Sequence, residues 1–346
     1  MKGLSTPLLL ALLGLAGGLS CGLTALVRRY ALATELLDRP NERSSHSVPT
    51  PRGGGVAIVA SFLLLTLVLT WAGAVDGPLA VATLGAGALV AGLGFADDRR
   101  PLAARGRFLG HAGAAAWVIA WMGPVPAVPV FGAVLALGLA GPLLCGLFIV
   151  WMINLFNFMD GIDGIASLQA ISVTLGGALV GALAGAGPGA ALPLLFAACT
   201  GGFLVWNFPP ARIFMGDAGS GFLGLVVALL ALWNGQAAPA LFWAWFVLNG
   251  CFMVDATTTL LRRSARGEKV YLAHRSHAYQ HAARRAGSHR TVTLTLAAIN
   301  TLWLLPIACA VALGWIDGVL AVLVAYAPLI ALALHLRAGL PETQTP

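Results

Sequence analysis

Long apolar stretches follow one another along almost the whole chain, separated by short polar segments. A helix that crosses a membrane needs about 20 mainly apolar residues. We predict eleven such spans: 4–27, 53–73, 78–95, 107–122, 130–153, 164–184, 189–206, 219–233, 238–261, 292–313 and 317–337. The eighth, at 219–233, has the weakest pattern. The pattern predicts an all-α polytopic membrane protein of about 10–11 transmembrane helices, in which residues 1–346 form one domain.

The composition supports this interpretation. Hydrophobic residues make up 59% of the chain and charged residues only 10%, with a mean hydropathy of +0.87, whereas soluble domains carry about 25% charge. The first twenty residues resemble a signal peptide, but the many apolar runs that follow favour a first span. The five cysteines stand singly in apolar runs, without metal or redox spacing. We interpret them as small buried residues.

The basic residues are distributed very unevenly. If the spans alternate in direction, every Lys and Arg except Lys2 falls on one side. The positive-inside bias identifies that side as cytoplasmic. It collects the C-terminal tail and the loops 28–52, 96–106, 154–163, 207–218 and 262–291. The bias accounts for the net charge of +7, so we infer no nucleic-acid partner, although arginines there suit phosphates or anionic lipid heads.

One polar segment lies between two apolar runs and carries Asn154, Asn157, Asp160 and Asp163. On an α-helix, residues three apart share a face, and over this series the face drifts by about half a turn. Two carboxylates beside an apolar run cost too much to serve packing alone. They either bind a cation or face water at a helix end.

Other polar residues stand at predicted span ends. Asp97 and Asp98 end the third span, where paired acids oppose the helix dipole, so we favour a functional role. Asp217 precedes small residues at a helix start, which suits an anion site, although a simple N-cap is the alternative. Phe214 offers a stacking face nearby. Asp255 lies within the ninth span, and we interpret it as a partner for an arginine or another polar group.

Two loops carry further candidates. The loop at 38–55 contains Asn41 and His46 and is rich in Pro and Gly, which predicts a rigid entry into the second span. In the last large loop, three histidines stand within eight residues among arginines: His274, His277 and His281. Such a cluster suits phosphate contact or proton transfer.

These groups together indicate phosphoryl chemistry. Aspartates from three separate loops cannot all stay ionised at one place without a cation. Carboxylate and amide oxygens favour Mg²⁺ or Mn²⁺, and the absence of thiolates excludes a zinc–sulfur site. The surrounding arginines and histidines indicate an anionic substrate. The expected reaction is a metal-assisted transfer at the membrane surface, dominated by positioning and charge stabilisation.

Five motifs in order resemble the polyprenyl-phosphate N-acetylhexosamine-1-phosphate transferase family over nearly the whole chain: residues 38–41 with 49–55, 97–98, 154–164, 207–221 and the histidine loop. The resemblance implies a phosphoglycosyltransferase of the bacterial inner membrane with a cytoplasmic active site. It would transfer a sugar-1-phosphate from a UDP-N-acetylhexosamine to undecaprenyl phosphate and release UMP, with Mg²⁺, as the first membrane step of O-antigen or other surface glycan synthesis. A homodimer stays open.

The resemblance also assigns roles to matched positions. The metal ligands would be Asp217, Asn157 and Asp98. The catalytic residues would be Asp97, Asp98, Asp160 and His277, and the substrate-binding residues would be Asp163, Asn207, Phe214, Arg105 and His274. Asp163 and Phe214 would contact the uracil, Asp97 would face the lipid phosphate, and His277 would contact the diphosphate.

The histidine loop departs from the family pattern, because many relatives have His-Ile-His-His where this chain has His277 followed by Ala278, Tyr279 and Gln280. The departure is similar to the branch that starts O-antigens with N-acetylated deoxysugars such as FucNAc or QuiNAc. It argues against a MurNAc-pentapeptide substrate.

Three alternatives stay open at this stage. We favour direct attack by the lipid phosphate over a covalent phospho-aspartate intermediate. The alternative function is a secondary transporter with a polar site on the cytoplasmic side, although transporters place charges near the membrane midplane and often carry repeats. A lipid-head-group enzyme of the CDP-alcohol type would need a different order of motifs.

Overall fold

The structure is a computed structural model, and it describes residues 5–40, 48–123, 127–186, 190–269 and 274–341. Asn41, His46 and residues 270–273 of the histidine loop lie outside them. The described residues form these helices: α1 Thr6–Ala33, α2 Gly55–Trp71, α3 Gly77–Arg99, α4 Ala104–Met122, α5 Ala140–Met159, α6 Ile165–Leu183, α7 Ala191–Asn207, α8 Asp217–Ala237, α9 Pro239–Leu248, α10 Gly250–Ala265, α11 Ala278–Ala286, α12 His289–Ile299, α13 Leu305–Ala312 and α14 Gly318–His335. A π-helical turn, Asn300–Leu304, joins α12 to α13.

Two very short hairpins are the only sheet structure in the described ranges. Strand β1 (Leu37–Asp38) pairs with β2 (Thr50–Pro51), and β3 (Val128–Val130) pairs with β4 (Ala133–Leu135). The predicted all-α class is confirmed. Among the described residues, seven helices are long and apolar enough to cross a membrane if α12, the π-helical turn and α13 are counted as one, or eight if the bent pair α9–α10 also counts as one span. Helices α2 and α7 are shorter apolar helices. The chain is a multi-pass membrane protein.

Each predicted span coincides with a helix or helix pair, but three differ in detail. The fifth is predicted to begin at residue 130, whereas α5 begins at Ala140, because residues 128–135 turn back as a hairpin with Gly132 at φ +80°. The ninth is bent by 69° at Asn249, which lies between α9 and Gly250, the first residue of α10. These two residues are weak helix formers. The tenth contains the π-helical turn at Asn300.

Helix α8 is the centre of the bundle. It packs against α2, α3, α5, α6 and α9, and 94% of its apolar window is buried inside the protein. The sequence pattern made it the weakest span because its small residues serve close helix packing rather than contact with lipid. Gly94 of α3 shows this closeness, since a Cβ at that position would lie 2.5 Å from the backbone nitrogen of Ala218.

The polar ends of several helices meet at one end of the bundle. The last turn of α3 contacts the first turn of α8 through Asp98. The turn after α5 contacts the segment after α7, because Asp163 accepts a hydrogen bond from Ala211 N and Asn207 accepts one from Gly164 N. Segments separated by more than 100 residues are thereby brought to one surface.

Candidate active site

Asp98 connects the end of α3 to the start of α8. Its Oδ1 accepts a hydrogen bond from Asp217 N at 2.9 Å, and its Oδ2 accepts one from Ala218 N at 3.2 Å. The side chain is only 3% exposed. Gly216 stands beside it at φ +77°, where a Cβ would lie 2.6 Å from Asp98 Oδ2. Both oxygens of Asp98 therefore serve the helix N-terminus, where a negative charge is stabilised by the free amides.

Arg52 lies between this carboxylate and that of Asp217. Its Nη2 is 2.8 Å from Asp98 Oδ1 and 3.1 Å from Asp217 Oδ1. Burial opposes its charge, but the two aspartates outweigh burial and raise the pKa of Arg52 above its usual value. Arg52 therefore remains a cation and holds the entry to α2 against α8. The role of Asp98 as a metal ligand stays a prediction. In the structure both of its carboxylate oxygens contact Arg52 or the backbone amides at the start of α8.

Asp97 points in a different direction from its neighbour, because consecutive helical residues are about 100° apart. Its Oδ1 accepts a hydrogen bond from Leu102 N at 2.6 Å. Its Oδ2 accepts one from Arg107 Nη1 at 2.8 Å. The Asp97 side chain is 7% exposed and lines a cavity that Asp98 does not. The adjacent acids thus have different surroundings.

This cavity has a volume of about 620 Å³ and lies between α3, α4, α5, α8 and α10. Asp97, Asn157 and Asp217 all line it, although they come from three different helices. Arg107 and His111 add polar groups from α4. The rest of the wall is largely apolar and includes Val90, Leu93, Phe108, Leu147, Trp151, Ile153 and Leu260. The cavity therefore joins a charged end to an apolar channel.

The donor atoms near α8 are oxygens. Asn157 Nδ2 donates to Ser220 Oγ at 3.1 Å, so its carbonyl oxygen is the atom suited to a cation. Asp160 directly follows the last residue of α5 and is half-buried. Burial raises the pKa of Asp160 to about 7, and the negative charge of Asp217 adds to this effect. An excess of buried negative charge is what a divalent cation would relieve.

Within the described ranges, no three His, Cys, Asp or Glu side chains are grouped so that they could hold a metal by themselves. Mg²⁺ is commonly held by one or two carboxylates together with substrate phosphates. The oxygens of Asp217 and Asn157 fit this mixed arrangement, in which the substrate completes the site.

The residues predicted to contact the nucleotide, Asp163, Asn207 and Phe214, do not line this cavity. Asp163 Oδ2 accepts from Ala211 N at 3.0 Å, and its Oδ1 lies 3.3 Å from His289 Nδ1. Asn207 is buried, and its Nδ2 donates to Ile213 O at 3.0 Å. Both side chains therefore fix the 207–213 segment. Phe214 is half-buried. Contacts of these residues with a nucleotide stay predictions.

The histidine loop is held by Asp255. Its Oδ1 lies 3.2 Å from His277 Nδ1 and accepts from Ala278 N at 2.9 Å, while Oδ2 accepts from Tyr279 N at 2.9 Å. The interpretation of Asp255 as a partner for polar groups is thus confirmed. His277 is buried in this contact and does not line the cavity. A diphosphate contact by His277 stays a prediction that would need its other ring nitrogen.

The departures from the family pattern in this loop have structural partners. The Tyr279 hydroxyl donates to Phe158 O at 3.2 Å, and Gln280 Oε1 accepts from His277 N at 3.2 Å. His274 stacks on His277 with ring centroids 4.8 Å apart. Burial, followed by the nearby His277 and Arg263, lowers the pKa of His274 to about 3. His274 is therefore neutral at physiological pH, which removes its charge as a means of binding phosphate.

Sequence reasoning selected Arg105 and overlooked its neighbour on α4. Arg105 is exposed, whereas Arg107 pairs with Asp97 inside the cavity. The signal was present in the spacing, because Ala104, Arg107 and His111 are separated by three and four residues and therefore share a helix face. Arg52 lies within the motif at residues 49–55, but nothing in its spacing indicates the pairing with Asp98 and Asp217 that the fold shows.

The fold and this site define a polytopic membrane enzyme with an acidic centre at the end of an apolar cavity. Residues 80–235 match glycosyl transferase family 4. A Bacillus subtilis (strain 168) protein named "Probable undecaprenyl-phosphate N-acetylglucosaminyl 1-phosphate transferase" is 31% identical over 288 residues, which cover 79% of this chain and 77% of the relative. The chain belongs to glycosyl transferase family 4 and is an enzyme of the transferase class.

Other relatives agree. Decaprenyl-phosphate N-acetylglucosaminephosphotransferase of Mycobacterium tuberculosis (strain CDC 1551 / Oshkosh) is 32% identical over 331 residues, covering 85% of this chain and 81% of the relative. Phospho-N-acetylmuramoyl-pentapeptide-transferase of Moorella thermoacetica (strain ATCC 39073 / JCM 9320) is 36% identical over 227 residues, covering 62% and 69%. The recognition of the family from its motifs is confirmed, and the transporter alternative has no support.

Proposed function

We propose that this enzyme transfers N-acetylhexosamine-1-phosphate from a UDP-sugar to undecaprenyl phosphate, with Mg²⁺, and releases UMP. The observation that carries the proposal is the convergence of Asp97, Asn157 and Asp217 on one cavity with apolar walls. The names of the relatives, which specify polyprenyl-phosphate N-acetylglucosamine-1-phosphate transfer, support the same reaction. We place the site on the cytoplasmic face of the bacterial inner membrane, where a UDP-sugar is available.

The cavity suits the acceptor lipid. Its apolar wall, with Leu93, Leu147 and Trp151, would cover part of a prenyl chain. Its charged end would hold the phosphate, with Arg107 as the cation that offsets the lipid's charge. Asp97 would orient Arg107 through their ion pair. The prenyl chain of the lipid would thus stay in the bilayer while its phosphate reaches the site.

The donor would bind at the first turn of α8, which follows the segment 207–214. Asp217 and Asn157 would hold Mg²⁺, or Mn²⁺ in its place, together with the diphosphate of the UDP-sugar. The metal would offset the charge that develops on the leaving phosphate. Asp163 and Phe214 would contact the uracil, and Asp160 would border the nucleotide. Arg52 would keep Asp217 in place through their ion pair.

The chemical step is a displacement at phosphorus. A phosphate monoester has a second pKa near 6, so the lipid phosphate is largely dianionic at neutral pH and needs little help from a base. Its oxygen forms a bond to the sugar-linked phosphorus while the bond from that phosphorus to the UMP oxygen breaks. The products are UMP and a polyprenyl-diphosphate sugar. Asp97, paired with Arg107, serves orientation in this reaction rather than proton removal.

The experiment is a donor panel. Purified protein in detergent would be given undecaprenyl phosphate, Mg²⁺ and UDP-GlcNAc, UDP-FucNAc or UDP-QuiNAc, and UMP release would be measured. Release that requires both lipid and metal supports the proposal, and the preferred sugar identifies the glycan pathway, whether O-antigen or another surface polymer. Absence of UMP from every donor would refute it. Labelled enzyme formed from UDP-sugar without lipid would refute direct attack in favour of a phospho-aspartate.

A further inference from the structure

His111 has no role in the reaction described so far, although it lies in the same cavity. It stands four residues after Arg107 on α4, so the two side chains share a helix face. Both line the cavity together with Asp97. His111 is half-buried. A histidine at this position is close to the charged end of the cavity and still reachable by a ligand.

The neighbouring helix fixes which ring nitrogen of His111 carries the proton. Asn154 Nδ2 donates to Val150 O at 2.7 Å, which sets the orientation of the Asn154 amide. The same nitrogen lies 3.3 Å from His111 Nδ1. Because an amide nitrogen only donates, His111 Nδ1 must accept. The imidazole is then neutral, and its proton is on Nε2, at the opposite side of the ring.

A neutral N–H donor beside a guanidinium is suited to a phosphate oxygen. Arg107 supplies charge, and His111 would supply a directed hydrogen bond without a second positive charge that would compete with Arg107 for Asp97. The apolar wall of the cavity distinguishes the two phosphate substrates. Asp217 and Asn157, proposed to hold the donor diphosphate through the metal, line the same cavity, but His111 shares its helix face with Arg107, which is proposed for the lipid phosphate. The phosphate beside His111 would therefore be that of the lipid.

We infer that His111 binds the phosphate of the acceptor lipid through Nε2–H and that Asn154 is a positioning residue that sets this tautomer. The inference rests on the proposed function and adds to it a contact specific to the acceptor. It predicts that the pair affects the lipid substrate and leaves the UDP-sugar unaffected.

The test is steady-state kinetics of the full-length protein in detergent, with undecaprenyl phosphate varied at saturating UDP-sugar and then the reverse. His111→Ala should lower kcat/KM for undecaprenyl phosphate about ten- to a hundredfold, which corresponds to one lost hydrogen bond to a charged group. The KM for the UDP-sugar should stay unchanged. His111→Gln retains an N–H donor and should recover most of the loss. Asn154→Leu should reproduce part of the loss.

His335→Ala is the matched control, because His335 is an exposed histidine at the end of α14, remote from the cavity lining. If His111→Ala lowers the melting temperature, His111→Phe replaces it, since it fills the ring's space without a donor. If the wild type is active, any of three results would overturn the inference and leave the proposed function standing. These are unchanged kinetics in the His111 variants, an equal effect on the kinetics of both substrates, and no recovery in His111→Gln. An inactive wild type would refute the proposed function and the inference together.

Discussion

Replacing Asp98 with asparagine tests the structural account of the α8 N-terminus. Asn retains one acceptor oxygen but places an NH₂ group where Asp98 now accepts a second backbone N–H or faces Arg52. A hydrogen bond to a charged group contributes about 1.5–3 kcal/mol, and loss of a helix cap costs about 0.5–2 kcal/mol. Arg52 keeps its second partner, Asp217. We therefore expect a loss of about 2–5 kcal/mol in the free energy of unfolding.

The measurement is thermal unfolding of the purified variant in detergent, followed by intrinsic fluorescence, with UMP release measured in parallel. A loss of this size should lower the melting temperature by about 3 °C or more. Asp217 should also shift, so turnover should fall even below the melting range. The control is Asp76→Asn, since Asp76 precedes α3 at its other end without a side-chain cap. A variant at Asp98 with wild-type melting and wild-type turnover would refute this account.

Three further outcomes are expected. Asp217→Asn should abolish UMP release while membrane expression stays normal, because the variant loses the carboxylate proposed for Mg²⁺. The pKa of Asp160 is raised to about 7, so its carboxyl group is mainly protonated below that pH. A nearby cation favours the ionised carboxylate. The affinity for Mg²⁺ should therefore rise by up to about tenfold per pH unit as the pH approaches 7, and then level off. Gly94→Ala should lower both melting temperature and turnover, because its Cβ would meet Ala218 N at 2.5 Å.

Each of these has a control. For Asp217, normal turnover in the Asn variant would count against the metal assignment. For the pH profile, Asp160→Asn should flatten the rise, and an unchanged profile would show that another group titrates. For Gly94, the matched change is Gly92→Ala on the same helix, where a Cβ would meet nothing within 4 Å. Equal effects at both glycines would contradict the close contact between α3 and α8.

Much of the architecture could be predicted because membrane burial leaves a strong mark on sequence. Each predicted apolar run coincides with a helix or helix pair in the described part of the chain, although only seven or eight of them are long and apolar enough to cross a membrane. The motifs also predicted that Asp97, Asn157 and Asp217 would meet, which the cavity now shows. These signals depend only on local composition or on a motif. They can be read without knowing the direction in which any side chain points.

The rest depended on packing, which composition does not encode. The α9–α10 bend at Asn249 and the hairpin before α5 interrupt stretches whose average hydropathy is high. The different orientations of Asp97 and Asp98 follow from helix phase, and so does the choice of Arg107 over Arg105. His277 fits a phosphate-binding pattern by residue type, but only the fold shows that Asp255 holds it.

The enclosure of α8 has a consequence for how the protein is made. Its partners α2, α3, α5 and α6 all precede it in the chain, and only α9 follows. When this helix leaves the ribosome, the surfaces that will surround it have therefore already been synthesised. The first turns of α8 carry an aspartate, glycines and a serine, so transfer of this segment into lipid alone would release little free energy. Its insertion should therefore depend on the earlier helices. Truncation of the chain after α8 should accordingly be tolerated better than deletion of α3.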